Sequence, residues 1–274
     1  AAREPQHLED DREAHRVFSR ALELFPRSAF RADLLFGTAA AAFALGDYGQ
    51  VVPLLQEFAA SYPDNPNFEN VCYFLAYSYL RQTAFEEAAG WFGRLADRFP
   101  NSAVAPEALF QQGENLFNLA RYAEAVTAYK RVLDKYPESE FADNALYNLG
   151  WCYFESDRKE EAMAQFSALL ARFPQSRFSA SAQFSLGDYY FNQQDYDKAV
   201  VAYQKIVDEY PNSEMITQAK RLLQELKEIQ AYPKYLEAMQ LFDQQDYARA
   251  AVALEKIIAD YPGTEIEAGA MANL

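Results

Sequence analysis

A tetrapeptide of aromatic residue, Pro, any residue and Ser, or a close substitute for Ser, returns along the chain and sets the terms for everything between its copies. It occurs as Phe25-Pro26-Arg27-Ser28, Tyr62-Pro63-Asp64-Asn65, Phe99-Pro100-Asn101-Ser102, Tyr136-Pro137-Glu138-Ser139, Phe173-Pro174-Gln175-Ser176, Tyr210-Pro211-Asn212-Ser213 and Tyr261-Pro262-Gly263-Thr264. The first six prolines are each 37 residues apart, and the seventh follows after 51. A fixed period of this size marks a solenoid of stacked units. Pro has no N–H and clashes with the preceding turn, so it ends a helix. The Ser two residues later is expected to cap the next helix by accepting a hydrogen bond from one of its free N–H groups.

Composition agrees with a large helical core. Half of the 274 residues are apolar or aromatic, with 21 Phe and 19 Tyr, which excludes disorder. Only 10 Gly and few β-branched runs argue against a β protein. A net charge of −15 gives a solvated surface and excludes nucleic acid as a partner class, because phosphate binding needs a basic stripe. The longest apolar run, residues 36–45, is too short to span a membrane. Cys72 and Cys152 sit two repeats apart, beyond the reach of a disulfide, and are expected to be buried free thiols. The chain opens on Ala1, and residues 265–274 begin a helix that stops before its small residue. A fragment of a longer protein is the expectation.

Each period reads as two helices, A and B. In residues 144–174, Leu146, Leu149, Gly150 and Tyr153 share one face of helix A, and Ala162, Phe166 and Leu169 mark helix B. Small residues recur where A and B must cross closely: Ala39, Ala76, Gly113, Gly150, Gly187 and Ala238 on A, and Ala14, Ala88, Ala125, Ala162, Ala199 and Ala250 on B. Large residues fill the next turn of B: Phe18, Leu55, Phe92, Tyr129, Phe166, Tyr203 and Leu254. One hairpin cannot hide such a face, and stacking on the next pair does.

This pattern resembles the tetratricopeptide repeat (TPR) over nearly all of residues 8–274. The resemblance implies an all-α fold, a right-handed α-solenoid of stacked helix-turn-helix repeats. The period is longer than the usual 34, and the three extra residues are expected to lengthen the start of helix A. That long form is similar to the repeats of bacterial envelope proteins, such as the outer-membrane assembly lipoprotein and the periplasmic Tol–Pal coordinator. It implies a periplasmic or envelope location, with the cytoplasm as alternative.

The expected organisation is a first array over residues 1–231 and the start of a second over 232–274. The first array would hold a lone helix B from His7, five full repeats and a polar capping helix over 213–230. Ala231-Tyr232-Pro233 would then restart a new pair.

No residue pattern supports catalysis. His7 and His15 are the only histidines, and there is no phosphate loop, no Cys/His metal spacing and no nucleophile motif. The reading is therefore a non-enzymatic scaffold with no catalytic, cofactor or metal site. In TPR proteins the inner face is made mainly by helix A, so the resemblance directs attention there. Two columns seven residues apart are aromatic in nearly every repeat, Phe36, Tyr73, Phe110, Tyr147, Phe184 and Tyr235, and Phe43, Leu80, Phe117, Phe154, Phe191 and Phe242. Between them the chemistry varies: Ala40, Tyr77, Glu114, Trp151, Asp188 and Met239. The rings can be core or anchors for a partner. The variable column is the stronger functional candidate, since other positions keep one chemistry. The candidate partner-binding residues are thus Tyr73, Tyr77, Phe110, Glu114, Tyr147, Trp151, Phe184 and Asp188. Their rings offer area at little entropic cost. Glu114 and Asp188 would attract Lys or Arg on an extended or helical protein segment with apolar side chains. Grip on a C-terminal carboxylate is disfavoured, because the positions where that use of the fold needs Lys and Arg hold Asn70, Asn144 and Arg81, with Asp and Glu beside them to repel an acidic tail. A docking module of a larger protein and a small-ligand-binding repeat protein are the alternatives.

Overall fold

The computed structural model describes residues 5–274, which form fourteen α-helices and no strand among the described residues. The chain divides into two compact units, Ala1–Lys159 and Glu160–Leu274. In the first unit the helices are α1 (Pro5–Leu24), α2 (Arg31–Leu45), α3 (Tyr48–Ser61), α4 (Phe68–Arg81), α5 (Phe85–Arg98), α6 (Ala105–Asn118), α7 (Tyr122–Lys135) and α8 (Ala142–Glu155). The second holds α9 (Lys159–Arg172), α10 (Ser179–Asn192), α11 (Tyr196–Glu209), α12 (Ile216–Asp243), α13 (Tyr247–Asp260) and α14 (Glu265–Asn273). Every Pro of the repeated motif lies two residues past a helix end, after α1, α3, α5, α7, α9, α11 and α13. The fold is an α-solenoid of TPR-like helix pairs.

The motif builds this corner differently from the expectation. In the first six copies the aromatic carbonyl accepts from the N–H of the fourth residue, as in Ser102 N–H to Phe99 O at 3.0 Å. That fourth residue then closes a second turn, with Ala105 N–H donating to Ser102 O at 3.1 Å. In four of the copies, those of Ser28, Asn65, Ser102 and Ser176, the side chain also accepts from the N–H two residues on, as Ser102 Oγ does from Val104 N–H at 3.2 Å, which is a side-chain turn ahead of the helix. The residues that do occupy the N-cap position, such as Phe30, Val104 and Phe178, make no side-chain cap bond. Ser is thus a turn residue here and not a helix cap. The residues after it form the second turn instead of lengthening helix A. Thr264 alone in the series sits at an N-cap position, its Oγ accepting from Glu267 N–H at 2.9 Å, and α14 begins at the next residue.

The A-to-B turn repeats as regularly. One residue per turn is left-handed: Gly46, Thr83, Ala120, Asp157, Gln194 and Gln245, with φ of 79°, 57°, 56°, 58°, 60° and 63°. The next N–H donates back five residues, as in Arg121 to Leu116 O at 2.9 Å, which satisfies a carbonyl left open at the helix end. Five of the six positions carry a side chain where glycine is the unstrained choice.

In the first unit the core is the seam between each A and B. Ala39, Ala76, Gly113, Ala88 and Ala125 are buried, as are Leu55, Phe92 and Tyr129. A Cβ on Gly113 would lie 2.6 Å from Tyr129 Cε1, so the glycine is set by the ring facing it. Cys72 and Cys152 are buried free thiols, each pushed by burial up to about 12.

In the second unit α12 corrects the expected restart at residue 232. It runs without a break for 28 residues, with Pro233 inside it. Tyr232-Pro233-Lys234-Tyr235 lacks the Ser, Asn or Thr in fourth place that closes the corner elsewhere, so Pro233 has no turn to enter. There is accordingly no separate capping helix over 213–230. The first half of α12 buries Ala219, Leu222 and Leu226 against Ala199, Tyr203 and Ile206 of α11. Its second half buries Ala231 and Ala238 against Leu254 and Ile257 of α13 and Ala270 of α14. An insertion of 14 residues is close to four helical turns, so the apolar stripe returns to nearly the same side about 21 Å further on.

Candidate partner-binding face

On the helix A side of the first unit, residues four apart share a face. Tyr73 and Tyr77 of α4 have ring centroids 4.6 Å apart. The Tyr77 ring meets Phe92 of α5 edge-on at 5.1 Å, and its hydroxyl donates to Glu107 of α6. Tyr147 and Trp151 of α8 lie edge to face at 6.1 Å, and Trp151 meets Phe154 at 5.4 Å. All four rings are half-buried. They are held by neighbours yet keep an accessible surface.

Phe110 behaves otherwise. It is 8% exposed, packed on Phe141 at 5.4 Å and on Tyr129 at 5.8 Å. In the second unit Phe184 is likewise 8% exposed and packs on Tyr203 at 5.4 Å. Of the aromatic column, Tyr73 and Tyr147 present surface, while Phe110 and Phe184 belong mainly to the core.

The carboxylates of the variable column have a structural duty that the sequence did not reveal. Glu114 accepts from the hydroxyl of Tyr129 on α7 and from Asn148 Nδ2 of α8 at 2.5 Å. Asp188 accepts from Tyr203 of α11 at 2.5 Å. The column therefore varies in step with helix B. Where B carries a buried Tyr, the residue after the A-helix glycine is acidic and meets the phenol. Where B carries Phe92, that residue is Tyr77. Burial pushes the Tyr129 phenol well above its ordinary range, and Glu114 adds to the shift. Burial, then the bond to Asp188, does the same for Tyr203. Burial also raises the Asp188 carboxyl, and the Tyr203 hydroxyl pulls it back. Covariation between positions 16 and 15 residues apart in one chain, glycine with Tyr and acid with Tyr, was the signal available.

A second feature lay outside the sequence reading. In the second unit a groove of about 630 Å³ runs between the B helices α9 and α11, with Leu186 and Tyr190 of α10 in its floor. Among the described residues, no group of His, Cys, Asp and Glu is arranged to hold a metal ion, and no helix is long and apolar enough to cross a membrane. His15 lies beside Gln50 Oε1 at 3.1 Å.

Comparison with known proteins bears on both units. The family model YfiO, described as outer membrane lipoprotein, matches residues 2–145, 76–189 and 102–274, which together span nearly the whole chain. No curated protein matches. Among solved structures, a tetratricopeptide repeat protein from Parabacteroides merdae superposes with a TM-score of 0.53 at 16% identity, over 89% of this chain and 98% of that one. YrrB, described as a TPR protein with an unusual peptide-binding site, gives 0.53 at 19% identity, over 76% of this chain and 100% of its own. MamA gives 0.54 at 17% identity, over 66% and 93%. At these identities the likeness is one of fold.

Proposed function

The chain belongs to the YfiO family of outer membrane lipoproteins, and from that premise we propose that it is a non-enzymatic scaffold for protein assembly or maintenance in the bacterial cell envelope. It holds an extended or short helical segment of a partner on its helix A face. The observation that carries this reading is the accessible aromatic surface of the first unit: Tyr73 beside Tyr77, and Tyr147 beside Trp151, half-buried and braced by their neighbours. Rings fixed in this way lose little entropy when they take up apolar side chains. Glu107 and Glu114 lie among them with one oxygen each engaged by Tyr77 and Tyr129, which gives the face a negative cast suited to a partner carrying Lys or Arg. Asp188 plays the corresponding part in the second unit. A peptide-binding site is described for YrrB, which shares the fold.

The test is recovery of partners from a cell-envelope extract by wild type and Trp151→Ala. As an anchor, Trp151 is expected to contribute about 2 kcal/mol or more, so the variant should lose bound partners while its helical signal stays intact. Equal recovery by both proteins would remove the helix A face from consideration.

A further inference from the structure

The groove between α9 and α11 lacks an ion pair that spans the corresponding B helices of the first unit. Between α5 and α7, Arg131 reaches across and pairs with Asp97. Two periods on, in the same register, Lys205 stands on α11 in the place of Arg131, and Ala171 stands on α9 in the place of Asp97. The cation remains and its carboxylate has become a methyl group. Lys205 is exposed and, among the described residues, makes no ion pair. The α9 residues that line the groove, Ser167, Leu170 and Ala171, carry no charge. Val201, one turn before Lys205, is 59% exposed into the same space.

The other charges around the groove do not answer Lys205. Lys198 is held by Asp195 at 2.6 Å. Asp197 Oδ1 accepts from Gln230 of α12 at 2.8 Å. Glu209 stands in the last turn of α11, one turn past Lys205.

We infer that this groove is a second docking site, for an amphipathic helix of a partner protein that lays an apolar face on Leu170, Leu186 and Val201 and supplies to Lys205 the carboxylate that Ala171 does not. Small residues on the α9 wall let such a helix approach closely, and the volume of about 630 Å³ accommodates several aliphatic side chains. The charge preference is opposite to that of the helix A face. The two sites therefore select partners of different chemistry.

The probe is a fluorescein-labelled 14-residue helical peptide with leucines at positions 3, 6, 7 and 10 and glutamates flanking them (about four turns), compared with a twin in which lysine replaces each glutamate. Anisotropy titrations at low and high salt read affinity. The acidic peptide should bind better than the basic twin, against the net charge of −15 that would attract the twin. Val201→Asp, Lys205→Glu and Ala171→Asp should each weaken it about tenfold or more, the last by supplying the carboxylate to Lys205 within the chain. All three sites are exposed, and circular dichroism verifies that the helices persist. Trp151→Ala should leave binding unchanged. Equal binding of the twins, no binding of the acidic peptide, indifference to Ala171→Asp and Lys205→Glu, or loss of binding in Trp151→Ala would each overturn the assignment. None of these results depends on the helix A face having a partner.

Discussion

Glycine and tyrosine at the seam show how far a single residue is specified by the one it faces. Gly113 and Gly187 are the positions where an added Cβ would stand 2.6 and 2.4 Å from a ring carbon of Tyr129 and Tyr203. Repeats with Leu55 or Leu254 on helix B carry Ala39 or Ala238 at the matching place, because the shorter side chain leaves room for a methyl group. Gly113→Ala should therefore overpack the seam and cost about 1–3 kcal/mol despite the better helix propensity of alanine. The melting midpoint measures it, and pairing the change with Tyr129→Leu should restore part of the loss. An unaltered midpoint for the single variant would mean that the ring moves aside freely. The same tyrosines account for Glu114 and Asp188. A buried phenol without an acceptor is costly, so the acid next to the glycine has a structural reason to exist apart from any partner.

At the scale of the element, α12 is the departure from the repeat. A proline in a helix interior removes one N–H bond and crowds the carbonyl four residues before it. Pro233 is nonetheless carried within α12, because Leu226 and Ala231 before it and Ala238 after it are all buried in packed clusters. Tertiary packing on both sides outweighs the local preference. Pro233→Ala should then stabilise the protein, by up to about 3 kcal/mol. A higher melting midpoint is the expected result. A neutral or lower one would show that the chain turns at this residue. The regular corners make the contrast clear: the motif prolines follow a helix end where Ser, Asn or Thr stands two residues later to close the turn.

For the whole molecule, buried phenols hydrogen-bonded to carboxylates give stability a defined dependence on alkaline pH. Tyr77, Tyr129 and Tyr203 each donate to an acid and are raised above the ordinary phenol value, first by burial. The unfolded chain loses these protons near pH 10 and the folded chain only above that. Their contribution is complete below about pH 10 and is lost as pH rises through the folded values. Thermal melts should hold a steady midpoint from about pH 7 to 9 and fall beyond about 10. Tyr129→Phe with Tyr203→Phe should begin from a lower midpoint and fall less steeply. Equal slopes would assign the decline to general repulsion in an acidic chain.

The sequence by itself determined the repeat, the helix ends at every motif proline, and the small and large columns of the seam. These follow from local chemistry: a ring without an N–H, a period of 37, and volumes that must alternate along a helix face. It also separated out the aromatic columns, but not which rings stay accessible. Only the tertiary structure decided that Phe110 and Phe184 are core while Tyr73, Tyr77, Tyr147 and Trp151 keep surface, because exposure depends on what the neighbouring repeat places over each ring. It decided that Glu114 and Asp188 answer a phenol on the next helix, and that Ser closes a turn instead of capping a helix. It decided that α12 passes through Pro233, and that Ala171 leaves Lys205 facing an open groove. Apart from the Ser turn, whose bonds span only two or three residues, each of these depends on an interaction between residues far apart in the chain, whose energy no local pattern contains.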